Sequence, residues 1–381
     1  MLDFASALYL GMRHPSAQTG GYDALTTGTP AALASAPLAN QLAARAAALQ
    51  GCEAGVVAPS TLHLAVDVFD RLGRTHALIA DDALYPVTRW GLQRVMGLGV
   101  PVDWFRHGDC ADLTRRILQR RLAKPPAVIA DATSADGAPA PLARYLALVR
   151  GHGGLVAIDQ SQLLGLLGER ASPAHPWGFG GGGVLRHAAL DPFEPILLIA
   201  SWAKAFGAPL ATLCGPLALV GAIARDAPTQ THCSAASQSA MLAAMNALAI
   251  NEQRGDALRA TLLQRISRLE RGLRWLARTR VPDLRALRRQ HPLQQLRLGS
   301  AERTLALHAG LRASGLRTAL LRECGPGYTL AVVTRANHGT ADIDALIAAI
   351  AAIAPRLPGA PHAAAPAATM EEREHVQDFR G

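Results

Sequence analysis

Apolar runs of four or five residues recur along the first two thirds of the chain, and each ends in small polar residues. HALIADDALYPVTRWGLQRVM, PAVIADATSADG, GGLVAIDQSQLLG and PILLIASWAKAFG share this form. CEAGVVAPSTLHLAVDVFDRLG adds a Pro-Ser-Thr turn between its run and an amphipathic stretch, and NQLAARAAALQG, from Asn40 to Gly51, predicts a helix before it. Such segments predict buried strands alternating with helices. Strands covered on both faces read as continuous apolar runs, so the predicted fold class is α/β with a mostly parallel sheet between helices. Sheets of that kind bind ligands at the carboxyl ends of their strands. Ser60, Asp81, Asp131, Asp159 and Ser201 all fall there. The glycine run FGGGGV at 179–184 reads as a flexible insertion; with no GK[ST] after it, it is not a phosphate loop.

The pattern changes further on. A long amphipathic stretch from about Ser237 to Arg280 precedes two strand signals, HPLQQLRLG and YTLAVVT, and a closing helix, ADIDALIAAIAAIA. These predict a smaller C-terminal α+β domain. Periodicity stops after Pro355, where a mobile Ala/Pro-rich tail is expected. The expected organisation is an N-terminal segment over 1–45, a large domain over 46–285, a small domain over 286–355 and the tail over 356–381.

Composition narrows the function classes. With 381 residues, 50% hydrophobic and 18% charged, the chain reads as folded and long enough to bury a large core. Cys52, Cys110, Cys214, Cys233 and Cys324 are dispersed, with no CxxC pair and no disulfide framework, so a reducing cytoplasmic setting is expected. Gly, Pro, Arg or Asp interrupts every apolar stretch, and the opening MLDFASALYLGMRHPS lacks a signal-peptide pattern, which argues against the membrane. The net charge of +9 comes from arginines scattered over helix-like stretches without aromatic interleaving, so it marks no nucleic-acid surface. Lysine occurs only at Lys124 and Lys204. Only a lysine side chain offers a primary amine able to form an imine, and Lys124 sits in a proline turn, AKPP.

Lys204 sits in SWAKAFGAP, whose small residues permit a close backbone approach. An aspartate ends the run before it, in VAIDQ, and a Gly/Ser/Thr turn lies much earlier, in GCEAGVVAPST. A buried carboxylate keeps a pyridine nitrogen protonated, backbone N–H groups at a helix N-terminus hold a phosphate, and a lysine captures an aldehyde. In this chain order the sequence resembles the fold-type-I pyridoxal-phosphate enzymes, the aminotransferase class I/II superfamily. Within them it is similar to the α-oxoamine synthases, which include 8-amino-7-oxononanoate synthase and glycine C-acetyltransferase. The likeness runs over roughly residues 10–353.

The resemblance implies a role for each matching residue. GCEAGVVAPST is similar to G-x-E-x-x-x-x-x-x-S-G, which implies that Ser60 and Thr61 cradle the phosphate of pyridoxal 5'-phosphate. DDALYPVTRWG resembles the segment of the ring-stacking histidine, with Tyr85 in that position, and FRHGD with Leu113 matches H-x-D-x-x-x-L. SADGAPAPL resembles S-M-D-G-D-x-A-P-L and implies that Ser134 lies near the phenolic oxygen. DQSQLLGLLG corresponds to D-E-A-H-S-x-G-x-x-G and implies Asp159 as pyridinium partner, while SWAKAFG resembles T-L-S-K-A-F-G and implies Lys204 as imine-forming lysine and Ser201 as phosphate ligand.

Three departures accompany these matches. Gln162 replaces the acid/base histidine with an amide that does not titrate near neutrality, so it is expected only to hydrogen-bond the cofactor. The arginine that would clamp a substrate carboxylate falls in register on Thr329 and Ala331, with Arg335 nearby, and the G-S-R turn is GTP, from Gly28 to Pro30. His107, His187 and His338 read as structural, and no cluster has metal-ligand spacing. The expected function is a homodimeric transferase that condenses an amino acid with an acyl thioester, carried on CoA or a carrier protein, with decarboxylation. Lys204 and Asp159 would be its catalytic residues. An aminotransferase on the same scaffold and a cofactor-binding homologue without turnover stay open.

Overall fold

The computed structural model describes residues 1–359 apart from 20–24, 27, 29–32, 120–123, 135–136, 138, 287–289 and 323–326. Thr29 and Pro30 of the GTP turn, Cys324 and the tail from residue 360 lie outside the described residues. The chain forms two compact units.

The first unit comprises Ala7–Leu263 with Arg335–Asn337. Its seven-stranded sheet has the order Ala54–Ala58, Ala211–Gly215, Ile196–Ser201, Leu155–Asp159, Pro126–Asp131, Ala77–Asp81, Val102–Phe105. Neighbours are parallel from Ile196–Ser201 to Val102–Phe105, whereas Ala211–Gly215 is antiparallel to both of its neighbours. Two successive reversals return Ala54–Ala58 to the common direction, so every strand but Ala211–Gly215 ends on one edge.

Side chains alternate between the faces of a strand, and the core shows which face each strand-end residue takes. Ala127 and Ile129, Leu155 and Ala157, and Leu197 and Ile199 share one core with Leu64, Val68 and Phe69 of the helix Thr61–Thr75 and with Leu92 and Val95 of the helix Pro86–Gly97. Asp131, Asp159 and Ser201 continue those series onto this face. In Ala77–Asp81 it is Leu78 and Ala80 that join this core, so Asp81 turns to the opposite face. Each fully buried Leu, Val or Phe contributes about 1.5–3 kcal/mol, which holds both helices against the sheet.

The amphipathic stretch expected from Ser237 is a 42-residue helix, Gln238–Thr279. It corrects the reading of the glycine run as flexible. Asp256 Oδ1 accepts the Gly180 N–H at 2.9 Å, Asn251 Nδ2 donates to the Gly180 carbonyl at 2.8 Å, and Arg259 donates to the Gly165 carbonyl at 3.0 Å. A Cβ on Gly181 would lie 2.5 Å from the Arg259 guanidinium, so glycine is present there for close approach rather than slack.

The second unit comprises Met1–Ser6, Gln264–Thr334 and the described segment from His338. Its antiparallel sheet has the order Ala319–Arg322, Tyr328–Val333, Leu293–Arg297, Arg285–Ala286, and Leu2–Asp3 pairs in parallel with Leu316–Arg317. Phe4, Leu273, Leu296, Leu330 and Ile343 share its core with the helices Ala301–Ala313 and Thr340–Ile353. Among the described residues no helix is long and apolar enough to cross a membrane.

Candidate active site

The carboxyl edge of the larger sheet gathers most of the residues singled out in the sequence. Ser60 precedes the helix Thr61–Thr75 in an extended conformation, and its side chain caps none of the first-turn N–H groups. Its Oγ instead lies 2.8 Å from His63 Nδ1. Uncapped N–H groups at the positive end of a helix dipole suit an anion. Ser201 ends the strand Ile196–Ser201 on the same edge; its N–H donates to Ser161 Oγ at 2.8 Å, and its Oγ accepts the Ala203 N–H at 3.3 Å.

The loop after Ser201 is anchored on both sides of Lys204. Trp202 is wholly buried, donates Nε1–H to Thr212 Oγ1 at 2.9 Å and packs on Phe206 with ring centroids 4.8 Å apart. The Ala208 N–H closes the loop on the Trp202 carbonyl at 3.1 Å. Lys204 is half-buried at the turn. A Cβ on Gly165, where φ is +83°, would come within 2.6 Å of Ala205 Cβ, so the segment after Asp159 packs directly on the lysine loop.

Asp159 and Asp131 are register partners on adjacent strands. Asp159 Oδ1 accepts the Ser161 N–H at 2.8 Å. Asp131 Oδ2 accepts the Tyr85 N–H at 2.6 Å, and its Oδ1 accepts a long 3.5 Å bond from Thr88 Oγ1. Burial first, and then the Asp159 carboxylate, push the Asp131 carboxyl up to about 8, against the Tyr85 N–H and the Lys204 charge, which lower it. The sequence placed Asp131 at a strand end but assigned it no role. Its partner Tyr85 lies 46 residues away in the chain, with no local signal to link them.

Tyr85 stands at the start of the helix Pro86–Gly97 and is 60% exposed. Ser134 is buried in the turn after Asp131, where its carbonyl accepts the Gly137 N–H at 3.0 Å. Gln162 Oε1 accepts a 2.5 Å bond from the Tyr9 hydroxyl. Arg335 is half-buried in a short segment that groups with this unit. The adjacent Ala336 N–H donates to the Tyr9 carbonyl at 2.8 Å.

The histidines read as structural are engaged elsewhere. His107 Nδ1 lies 2.7 Å from Asp81 Oδ2, on the face of the sheet away from Asp159. His187 Nδ1 contacts the Gly168 carbonyl at 3.2 Å, and in the smaller unit His338 Nε2 contacts the Asp3 carbonyl at 2.9 Å. Thr329 and Ala331 lie inside the smaller unit's sheet, where Thr329 Oγ1 accepts from Arg297 Nε at 3.2 Å.

The chain is similar to known proteins. The 8-amino-7-oxononanoate synthase of Alkalilimnicola ehrlichii is 28% identical over 257 residues, 66% of this chain and 61% of the relative. The chain spans about three fifths of the length of the curated relatives it matches, 61% and 60% for two of them. Serine palmitoyltransferase from Sphingomonas wittichii superimposes with a TM-score of 0.80 at 17% identity, over 94% of this chain and 88% of the other. A structure of SPT with PLP internal aldimine gives a TM-score of 0.78 at 16% identity, over 93% and 88% of the two chains. At those identities the solved structures establish the fold. The family model for aminotransferase class I and II matches residues 97–350, well over half of the chain, and the chain belongs to that family.

Proposed function

We propose that this protein is a pyridoxal-phosphate-dependent transferase that condenses an amino acid with an acyl thioester and releases carbon dioxide. The observation that carries this reading is the edge itself. One amine on an anchored loop, one strand-end carboxylate and one uncapped helix N-terminus lie at the same end of the same sheet, which are the three groups the cofactor requires.

When bound, pyridoxal 5'-phosphate supplies an aldehyde that captures amines and a protonated ring that stores the electron pair released at the α carbon. The residues present fit that group. Ser60, Thr61 and Ser201 would hold the phosphate, Tyr85 would cover the ring, and Ser134 and Gln162 would face its phenolic oxygen. Asp159 would keep the ring nitrogen protonated. Lys204 would capture the cofactor and, once released, take the proton from the substrate's α carbon. Asp131 anchors Tyr85 by its backbone N–H and so sets where that ring lies. Arg335 is the candidate for the amino acid's carboxylate.

The same reading includes a homodimer and a cytoplasmic setting, in keeping with the free thiols of Cys52, Cys110, Cys214 and Cys233. It assigns the cofactor to the large domain expected over 46–285 and a supporting role to the small domain over 286–355. The purified protein should turn yellow with pyridoxal phosphate. Single amino acids should then be offered with and without CoA or carrier-protein thioesters, with free thiol and carbon dioxide measured. Thioester-dependent release of both supports condensation. Conversion of the cofactor to its amine form by an amino donor alone would assign transamination instead, and no cofactor binding at all would overturn the reading.

A further inference from the structure

Gln162 stands where the resemblance places a histidine, and the structure shows what orients it. Tyr9 is 1% exposed, and its hydroxyl donates to Gln162 Oε1 at 2.5 Å across 153 residues of sequence. Its backbone is fixed as well, because its carbonyl accepts the Ala336 N–H at 2.8 Å. Two residues on, Gly11 adopts φ +60°, and a Cβ there would lie 2.8 Å from Asn337 Cγ, so these two segments pack with no room for a methyl group. Further along, His14 bridges the Phe206 carbonyl, at 2.8 Å from Nε2, and Asn246 Nδ2, at 3.0 Å from Nδ1. An amide nitrogen can only donate, so Nδ1 accepts and Nε2 carries the proton toward Phe206, two residues past Lys204. The segment that carries Tyr9 is therefore held at both ends against site elements.

A side-chain amide has a donor end and an acceptor end, and free rotation would let either face a ligand. With Oε1 turned to the Tyr9 hydroxyl and accepting its proton, the Nε2–H groups of Gln162 form the opposite end of the amide. We propose that Tyr9 is a positioning residue whose hydroxyl sets the orientation of Gln162, so that the amide donates to the phenolic oxygen of the bound cofactor. Gln162 then serves as a fixed neutral donor where a histidine would titrate. This rests on the proposed function, because it takes the cofactor to be pyridoxal phosphate.

The test compares the full-length parent, Tyr9→Phe, Gln162→Leu and the double variant. Each cofactor-free protein is titrated with pyridoxal phosphate, and its dissociation constant, visible absorbance maximum and thermal melting curve are recorded. Tyr9→Phe should keep the parent's melting behaviour, weaken cofactor binding by about three- to tenfold and move the absorbance maximum. In the Gln162→Leu background the same change should cost nothing further, because the hydroxyl acts through the amide. An equal loss in both backgrounds, no loss in either, or a Tyr9→Phe protein that does not fold would assign the hydroxyl to packing and overturn the proposal. A parent that binds no pyridoxal phosphate would refute the proposed function instead.

Discussion

Replacing Asp131 with Asn should flatten the pH dependence of the cofactor-free protein's stability between about pH 4 and pH 8. The Asp131 carboxyl is pushed up to about 8, first by burial and then by the neighbouring Asp159 carboxylate. In the unfolded chain an aspartate titrates near 3.9. Between those values the unfolded state has lost the proton and the folded state keeps it. Stability therefore falls as pH rises through the window and levels off above about 8. At about 1.4 kcal/mol per pH unit over roughly four units, the upper limit is about 6 kcal/mol; relaxation around the charge and proton sharing with Asp159 bring the expected effect nearer 2–3 kcal/mol. Asn keeps an oxygen for the Tyr85 N–H, which Asp131 accepts at 2.6 Å, so the substitution removes the titration while retaining the anchor. Urea unfolding of parent and variant at pH 5, 6, 7 and 8 reads the difference directly. The parent should lose on the order of 2–3 kcal/mol more than the variant from pH 5 to pH 8. Parallel curves for the two proteins would refute the reasoning. Loading the parent with pyridoxal phosphate, whose ring would neutralise Asp159, should also shrink the slope.

Three further outcomes are expected. Lys204→Ala should abolish the yellow colour and the pyridoxyl-labelled peptide after borohydride reduction; Lys124, whose Nζ donates to the Gly73 carbonyl at 3.2 Å, should stay unlabelled in parent and variant. Arg335→Ala should raise the KM for the amino acid about ten- to a hundredfold, or about 1.4–2.8 kcal/mol, and leave the cofactor spectrum alone. An unchanged KM would direct the search to substrates without a free carboxylate. Gly165→Ala sets a Cβ 2.6 Å from Ala205 Cβ at a φ of +83°, so it should lower stability by about 2–3 kcal/mol in thermal melts and slow cofactor capture by Lys204. Unaltered melting and capture would show that the two loops do not depend on each other.

The strand ends were legible because apolar runs stop where small polar residues begin, and the sheet bears this out at Asp131, Asp159 and Ser201, while Ser60 lies two residues past the end of its strand. The face on which each residue emerges was not legible. A strand buried on both sides carries no period-2 signal, and only the partners of Leu78 and Ala80 in the core show that Asp81 turns away from the site with His107. The strand ATLCG, antiparallel within a mostly parallel sheet, is too short to announce its direction. The glycine run was misread because composition does not distinguish glycine kept for slack from glycine kept for close approach. Here a buried arginine and its partners Asn251 and Asp256 fill the space that side chains would need.

The same limit explains why the cofactor side of the site was easier to read than the substrate side. The residues proposed for phosphate, ring nitrogen and aldehyde lie at or just beyond strand ends, each inside a short motif, so chain order carries the information. Tyr9, which meets Gln162, belongs to no such motif: its hydroxyl donates to the Gln162 amide 153 residues away, and its carbonyl accepts the N–H of Ala336, near the other end of the chain. The positions that would have supplied the clamp cannot do so, since Thr329 and Ala331 are interior to an antiparallel sheet and Thr329 already accepts from Arg297. The proposed function therefore takes its cation from outside that strand, from Arg335, which begins the segment that groups with the larger unit. Under the proposed function both Gln162 and Arg335 would draw on the Tyr9 segment, since the Tyr9 hydroxyl donates to the Gln162 amide and the Tyr9 carbonyl accepts the N–H of Ala336, the neighbour of Arg335.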